Sequence, residues 1–259
     1  SVLGTLTSPG GAGAVEVALS QDGRFAFVTL QGSGTLAVFN LAAALASGLR
    51  DSGFVGDVRL GVNPIGIAMA GNGRWLYVTT QKRDQQADQG TLSMINVQRA
   101  ESDPAGSVRA TVLAGCDPGR VITTSGGATV WVTARASNAL LAFSAARLRS
   151  DPGRALIAEV RVGPSPIGLT ALPGGRRILV ANSGLHGSGS HHSSQPGDPR
   201  ASLGVISTTA ALAGRPALLG VIGAGVLPRE FAVEPGGRTA LITNSASHQL
   251  EAVNVSGLG

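Results

Sequence analysis

Short runs in which apolar and polar residues alternate recur along the chain, and this period predicts β-strands. Five of the runs follow a two-residue turn, as in Asn72-Gly73 before Trp75-Leu76-Tyr77-Val78-Thr79. Asp-Gly, Asn-Gly and Gly-Gly pairs supply the positive φ that tight hairpins need. The pattern therefore predicts five β-hairpins, whose turn glycines are Gly23, Gly73, Gly127, Gly175 and Gly237.

Each predicted hairpin belongs to a longer repeat. A proline lies nine residues before the turn glycine in four repeats, Ala14 holds this place in the first, and an alternating strand lies between the two. Third strands are predicted at 35–40, 91–97, 139–144, 203–207 and 250–255, and fourth strands at 57–62, 107–113, 157–162 and 218–222. Four short strands per repeat are typical of a propeller blade. We therefore predict an all-β fold, a β-propeller of five four-stranded blades that occupies residues 1–259 as a single domain.

Closure of the ring requires one more strand, because the fifth repeat contains only three predicted strands. A strand-like segment at residues 2–7 belongs to no repeat. We expect it to supply the outermost strand of the last blade, which would close the ring with a strand from each end of the chain. The alternative is a segment of a larger ring.

The repeat has a family resemblance. The run Pro64-Ile65-Gly66-Ile67-Ala68, the hairpin at 72–80 and the run Gly-Thr-Leu-Ser-Met-Ile-Asn-Val at 90–97 resemble a YVTN-type β-propeller repeat. The repeats at 166–182 and 236–244 keep the terminal asparagine of that pattern. The resemblance implies the lactonase-like propeller superfamily, which contains exported proteins without known chemistry as well as enzymes. It also implies a secreted or periplasmic location.

Two polar insertions indicate which face carries function. They occupy residues 81–90 and 183–201, and both connect a second strand to a third. These connections lie on one face of a propeller, and long loops held by a rigid scaffold are often functional. The opposite face is predicted to be simpler, with a short helix within the alanine-rich residues 41–49.

The position two residues after each repeat proline carries unexpected charge. It is occupied by Glu16, Gly66, Arg120, Gly168 and Glu230, at the start of the innermost strand. We take Glu16, Glu230 and Arg120 as candidate catalytic residues at the channel mouth. Paired carboxylates can share a proton or hold a hard cation such as calcium. The structural alternative is that Glu230 pairs with Arg120 or Arg229 and fills the channel.

Four histidines are candidate metal ligands. Three lie in the insertion of blade four and one in the corresponding loop of blade five: His186, His191, His192 and His248. Imidazoles gathered on one face suit zinc, copper or nickel. Their spacing matches no established metal motif, and the Gly/Ser/Pro-rich surroundings fit a solvated loop equally well.

Asn182, Asn244 and Asp117 form a third candidate set, for ligand binding, and Cys116 lies beside Asp117. With Glu16 and Glu230 they resemble in kind the Glu, Asn and Asp donors that gluconolactonase-type propellers place around a divalent cation. Asparagine at a strand end is also a common turn former. The thiol before Asp117-Pro118 fits a buried, inert cysteine.

Composition excludes several classes of protein. Apolar residues are 43% and charged residues 14%, which argues against disorder, and one cysteine excludes an internal disulfide framework. The net charge of +5 comes from scattered arginines and a single lysine, and aromatics are 3%, so nucleic-acid binding is not expected. No apolar run reaches the length of a membrane span.

Two functional hypotheses follow. The first is an exported, non-catalytic propeller that binds a small molecule or a protein partner on its loop face. The second is a metal-assisted hydrolase or lyase that acts on a lactone or similar small ester, in which a channel carboxylate acts as base. The chain contains no Gly-x-Ser-x-Gly elbow, Walker loop, His-Glu-x-x-His motif or dinucleotide fingerprint, so we favour the first.

Overall fold

The computed structural model describes residues 1–184 and 201–258, which form five antiparallel β-sheets. The sheets follow one another along the chain, and each is one blade of the predicted propeller. Blade one is β1 Ala14–Leu19, β2 Phe25–Leu30, β3 Thr35–Asn40 and β4 Phe54–Arg59. Blade two is β5 Val62–Met69, β6 Trp75–Lys82, β7 Thr91–Asn96 and β8 Val108–Leu113.

The remaining blades repeat this order. Blade three is β9 Pro118–Thr124, β10 Thr129–Ala134, β11 Ala139–Ser144 and β12 Leu156–Arg161. Blade four is β13 Pro166–Ala171, β14 Arg177–Asn182, β15 Ser202–Ser207 and β16 Leu218–Gly223. Blade five has three strands, β17 Pro228–Val233, β18 Thr239–Asn244 and β19 Gln249–Asn254. The first strands of consecutive blades lie side by side in the order β1, β5, β9, β13, β17. The β-propeller prediction is therefore confirmed.

The predicted closing strand at residues 2–7 is wrong. No strand is formed before Ala14, and no described residue adds a fourth strand to blade five. Leu6 instead packs on blade one, against a cluster that contains Leu30 and Phe39. This apolar contact holds residues 2–7 beside blade one rather than beside blade five.

Short helices follow the third strands, on the face of the propeller that we call the helix face. They are α1 Leu41–Ala46, α2 Val97–Ala100, α3 Ala145–Ser150 and α4 Thr208–Leu212. The last residue of each third strand caps the helix by accepting a hydrogen bond from a backbone N–H three residues later; the caps are Asn40, Asn96, Ser144 and Ser207. The helix within 41–49 is confirmed, and the other three, of four to six residues, were not predicted from the sequence. None of the described helices is long enough to cross a bilayer.

The core consists of apolar layers between neighbouring blades. We call the side of a blade that meets the next blade in chain order its forward face, and the other side its rear face. The third residue of a second strand lies on the forward face and packs with the fourth residue of the following second strand, as Trp131 does with Val180. Forward residues Phe27, Tyr77, Trp131 and Leu179 are fully buried, Phe25 is buried, and Trp75 and Leu241 are partly exposed. The predicted core positions are thus confirmed most fully in the inner blades.

Candidate functional site

A β-bulge in every first strand positions the candidate channel residues. In each blade the register between first and second strand shifts just after the residue at the repeat-proline position, for example between Pro228 and Phe231. A bulge turns the strand and re-aims a side chain. Glu16, Arg120 and Glu230 lie at these bulges, and their side chains meet although they come from blades one, three and five.

Threonines on the second strands hold the bulges in place. The backbone N–H groups of Glu16, Gly66, Arg120 and Glu230 each donate to a threonine hydroxyl at 3.0–3.1 Å; the acceptors are Thr29, Thr79, Thr133 and Thr243. Blade four has Ala181 at this position. The recurrence of threonine at the same place in four repeats is the signal in the sequence that marks this shared role.

The charged cluster at the channel mouth contains one guanidinium and two carboxylates. Arg120 Nε lies 2.9 Å from Glu16 Oε1 and donates to Glu230 Oε1 at 2.8 Å. The Arg120 side chain is 18% exposed and that of Glu230 is 47% exposed, so the cluster is open to solvent on the blade-five side. With all three groups ionised its net charge is −1. The structure therefore brings the three candidate catalytic residues together, with the arginine between the carboxylates.

Glu16 is the more enclosed carboxylate. Burial raises the pKa of Glu16 above its ordinary value of 4.5, and the charge of Glu230 adds to this, while Arg120 and the Ile67 N–H oppose it. The Ile67 N–H donates to Glu16 Oε2 at 2.9 Å, so both oxygens of Glu16 have partners. Glu230 Oε2 makes no hydrogen bond to any residue that the structure describes. Glu230 is thus the member with a free acceptor.

The two glycines in this ring of positions are required by close packing. A Cβ on Gly66 would lie 2.5 Å from the Gly119 carbonyl oxygen, and one on Gly168 would overlap the Arg229 carbonyl oxygen. Real Cβ atoms do not approach backbone this closely, so only glycine fits. The backbone of the following blade, rather than a ligand, accounts for both residues.

Asp117 and Cys116 lie outside the charged cluster. Asp117 pairs with Arg135, at 2.8 Å from carboxylate to guanidinium. Burial raises the pKa of Asp117, and the charges of Arg135 and Lys82 and a hydrogen bond from Gln81 act in the opposite direction. Asp117 also adopts a positive φ of 55°, and Cys116 is a free, partly exposed thiol. This pair is a local turn with an ion pair, and the structure does not join it to Glu16 or Glu230.

Asn182 and Asn244 are buried at the ends of their strands. Asn182 Nδ2 donates to Ser202 Oγ at 3.2 Å, and Asn244 Nδ2 donates to Glu251 Oε2 at 2.8 Å. Their side chains pack against Gly163 and Gly225. The Oδ1 atom of each has no hydrogen-bond partner among the described residues. The structure places both asparagines beneath the loop-face connections and not in the charged cluster.

His186, His191 and His192 lie outside the described residues. His248 follows blade five's second strand with a positive φ of 54°. Within the described part of the chain, no group of three or more His, Cys, Asp and Glu side chains could hold a metal ion. The metal assignment therefore stays a prediction.

A polar cleft on the loop face was not predicted from the sequence. It has a volume of about 580 Å³ and lies between blades one and two. Its walls come from the connection after β2, the end of β4 with the connection that follows it, and Gln85 of the first insertion; they include Gln31, Asp57, Arg59 and Asn63. Burial raises the pKa of Asp57, a hydrogen bond from Thr35 opposes this, and Asp57 Oδ1 has no hydrogen-bond partner among the described residues. In the sequence, the only sign of this cleft is the charge of Asp57 within the fourth strand of blade one.

Comparisons with known proteins agree with the fold. No family model matches the chain, and no curated protein sequence matches it. A hydrazine synthase structure from Kuenenia stuttgartiensis is similar over 94% of this chain and 58% of that chain, with TM-score 0.66 and 18% identity. A functionally unknown protein from Desulfotomaculum acetoxidans DSM 771 is similar over 94% of this chain and 70% of its own, with TM-score 0.65 and 16% identity. The chain therefore shares the β-propeller fold with both, and a YVTN family is not shown.

Proposed function

We propose that the protein is a binding propeller whose loop face holds a ligand through the charged cluster at the channel mouth. One observation carries the proposal: Glu16, Arg120 and Glu230 converge from three blades, and the half-exposed Glu230 keeps one carboxylate oxygen without a hydrogen bond from any described residue. A propeller fold provides a rigid scaffold for such a site, and loop-face residues need no catalytic motif to bind. The ligand is a small molecule or an exposed protein side chain.

The charges of the cluster indicate which chemical group binds. Two carboxylates face one guanidinium, so the ionised cluster has a net charge of −1 although the chain as a whole has +5. A cleft lined by an excess of one sign of charge focuses the local field. The free oxygen of Glu230 is an acceptor only. We therefore propose a ligand with an ammonium, guanidinium or other hydrogen-bond-donor group.

The cleft between blades one and two extends the same face. Gln31, Asn63 and Gln85 supply amide donors and acceptors, and Arg59 supplies a charge. Polar groups of this mixture suit a ligand with several hydrogen-bonding groups. The residues of the first insertion thus contribute to a surface, as expected of a long loop on a rigid scaffold.

The hydrolase alternative has less support from the arrangement of the carboxylates. The guanidinium of Arg120 lies between Glu16 and Glu230 and pairs with both. A hard cation bound by both residues would have to compete at Glu16, where Oε1 pairs with Arg120 and Oε2 accepts from the Ile67 N–H. This arrangement favours binding of an organic cation or donor at Glu230 over a cation site built from the pair. Export to the periplasm or beyond the cell is part of the proposal, supported by the resemblance of the repeat.

The test is a set of small probes measured by ligand-observed NMR. The set contains n-butylammonium, ethylguanidinium, neutral n-butanol and butyrate. We expect the two cations to bind and Glu230→Gln to weaken them roughly tenfold, as loss of a charge-assisted hydrogen bond does. Glu159→Gln, on the exposed fourth strand of blade three, is the matched control and should leave binding unchanged. Binding of butyrate in preference to the cations, or cation binding that ignores Glu230→Gln, would contradict the proposal.

A further inference from the structure

The forward face of blade five contains the same residues that the other blades bury against a neighbour. The second residue of every third strand is leucine: Leu36, Leu92, Leu140, Leu203 and Leu250. The first four are fully buried, whereas Leu250 is 65% exposed. Leu241, which occupies in blade five the position that Trp131 occupies in blade three, is also only partly buried. Leu250 holds the same strand position as the four buried leucines, so its exposure indicates that blade five lacks a neighbour on this face.

A polar contact of the interface is also left open on this face. In three blades the bulge threonine donates to a backbone carbonyl of the next first strand, as Thr29 does to Ile65 at 3.0 Å and Thr133 does to Ile167 at 2.7 Å. Thr79 makes the same bond to Gly119. Thr243 accepts from the Glu230 N–H but donates to no residue that the structure describes, and it is exposed. Its hydroxyl is positioned for a strand that is absent.

The rear face of blade one has the complementary character. Val17 pairs with Val28 in the position that Val121 and Leu169 hold in blades three and four. Val121 and Leu169 are buried, whereas Val17 is 63% exposed and Leu19 lies beside it half-exposed. The Val15 carbonyl corresponds to those of Ile65, Gly119 and Ile167, and it receives no threonine hydroxyl from any described residue. β1 and β17 do not pack along each other as the other neighbouring first strands do.

We propose that a further propeller blade, carried by polypeptide other than these 259 residues, docks between blade five and blade one. Its first strand would accept the Thr243 hydroxyl and cover Leu250, and a hydroxyl on its side of the gap would reach the Val15 carbonyl. Four interfaces of one type join the five blades. The forward face of blade five and the rear face of blade one are the two sides of further interfaces of this type, and both are exposed. Both similar structures are also longer than the part that this chain matches.

The experiment supplies such a blade. Two extended proteins carry, after Gly259, a second copy of residues 62–113 or of residues 62–161. Leu250→Cys, with Cys116→Ser in the chain and in any added copy of that residue, reports the face by its rate of reaction with a thiol reagent, and sedimentation equilibrium reports the mass. We expect the label site to react freely in the monomeric 259-residue chain and roughly tenfold more slowly in one of the extended proteins, because a buried thiol reacts slowly. The melting temperature should rise in the same protein.

Leu250→Asp is the matched control. It lies on an exposed surface in the 259-residue chain and should leave that melting temperature unchanged, but it should abolish the increase in the extended protein. Protection of Leu250→Cys in the 259-residue monomer would mean that blades one and five close on each other, and protection in a dimer would mean that a second copy covers them. Either result, or free reaction in both extended proteins, overturns the proposal.

Discussion

Blade four and blade five differ in burial far more than in sequence. Leu203 and Leu250 hold the same position in the two third strands, yet the first is fully buried and the second is 65% exposed. The difference lies in the neighbour: blade four packs on blade five, whereas no described strand packs on blade five's forward face. A repeat thus specifies which residues are able to form an interface, and the adjacent blade decides whether they stabilise the fold.

The largest effect is expected at the centre of an inner interface. Trp131 is fully buried, packs between blades three and four, and donates from Nε1 to Thr124 Oγ1 at 2.8 Å. Trp131→Ala should lower the free energy of unfolding by about 3–5 kcal/mol, because it leaves a large cavity. Urea unfolding measures this, with Leu241→Ala at the equivalent position of blade five as the comparison. Equal losses in the two variants would contradict the difference between the interfaces.

A leucine pair tests the same difference at identical side chains. Leu203→Ala should cost about 2–5 kcal/mol, as deletion of a buried leucine does. Leu250→Ala should change stability by less than about 0.5 kcal/mol, since it removes surface that is already in water. Thermal and urea unfolding of both variants give the comparison. A cost at Leu250 comparable to that at Leu203 would show that its forward face is covered in solution.

The bulge threonines test the polar part of the interface. Thr133→Val removes the acceptor of the Arg120 N–H and the donor to the Ile167 carbonyl; the first bond is partly buried and the second is buried. Leaving buried polar groups unpaired costs about 1–3 kcal/mol. Thr243→Val should cost less, because the site is exposed and water can replace the hydroxyl for the Glu230 N–H. The reverse order of the two losses in free energy of unfolding would contradict this account.

The smallest effect concerns the cluster that links the first and last blades. Burial raises the pKa of Glu16 above 4.5, so the folded state holds this proton more tightly than the unfolded state. The stabilisation that protonated Glu16 contributes is therefore complete below pH 4.5 and is lost as the pH rises through the pKa of Glu16 in the folded state. Glu16→Gln, which keeps an acceptor for the Ile67 N–H, should remove this part of the decline. Parallel stability curves for wild type and variant between acidic and neutral pH would show that Glu16 is not responsible.

Local sequence was enough to predict the blades because their determinants are local. Turn glycines such as Gly73 adopt positive φ, and the apolar alternation specifies which faces of the strands are buried. The charged residues two positions after the repeat proline, Arg120 among them, were also identified from the sequence. The site could be predicted only in part. The contact of Arg120 with Glu16 and Glu230 depends on how three blades, separated by about a hundred residues on each side, are arranged around the channel.

The closing strand at residues 2–7 shows why the remainder was inaccessible. Its composition allows a strand, but an edge strand needs a partner edge at the right distance, and the contact of Leu6 with blade one decides its place instead. Likewise Asn182 looks like a ligand donor in sequence and is a buried strand end in the fold. The sequence by itself determined the repeat, the strands and the faces that each strand can bury. Only the tertiary structure decided which faces are covered and which charges meet, because both depend on distances between blades that no single repeat encodes.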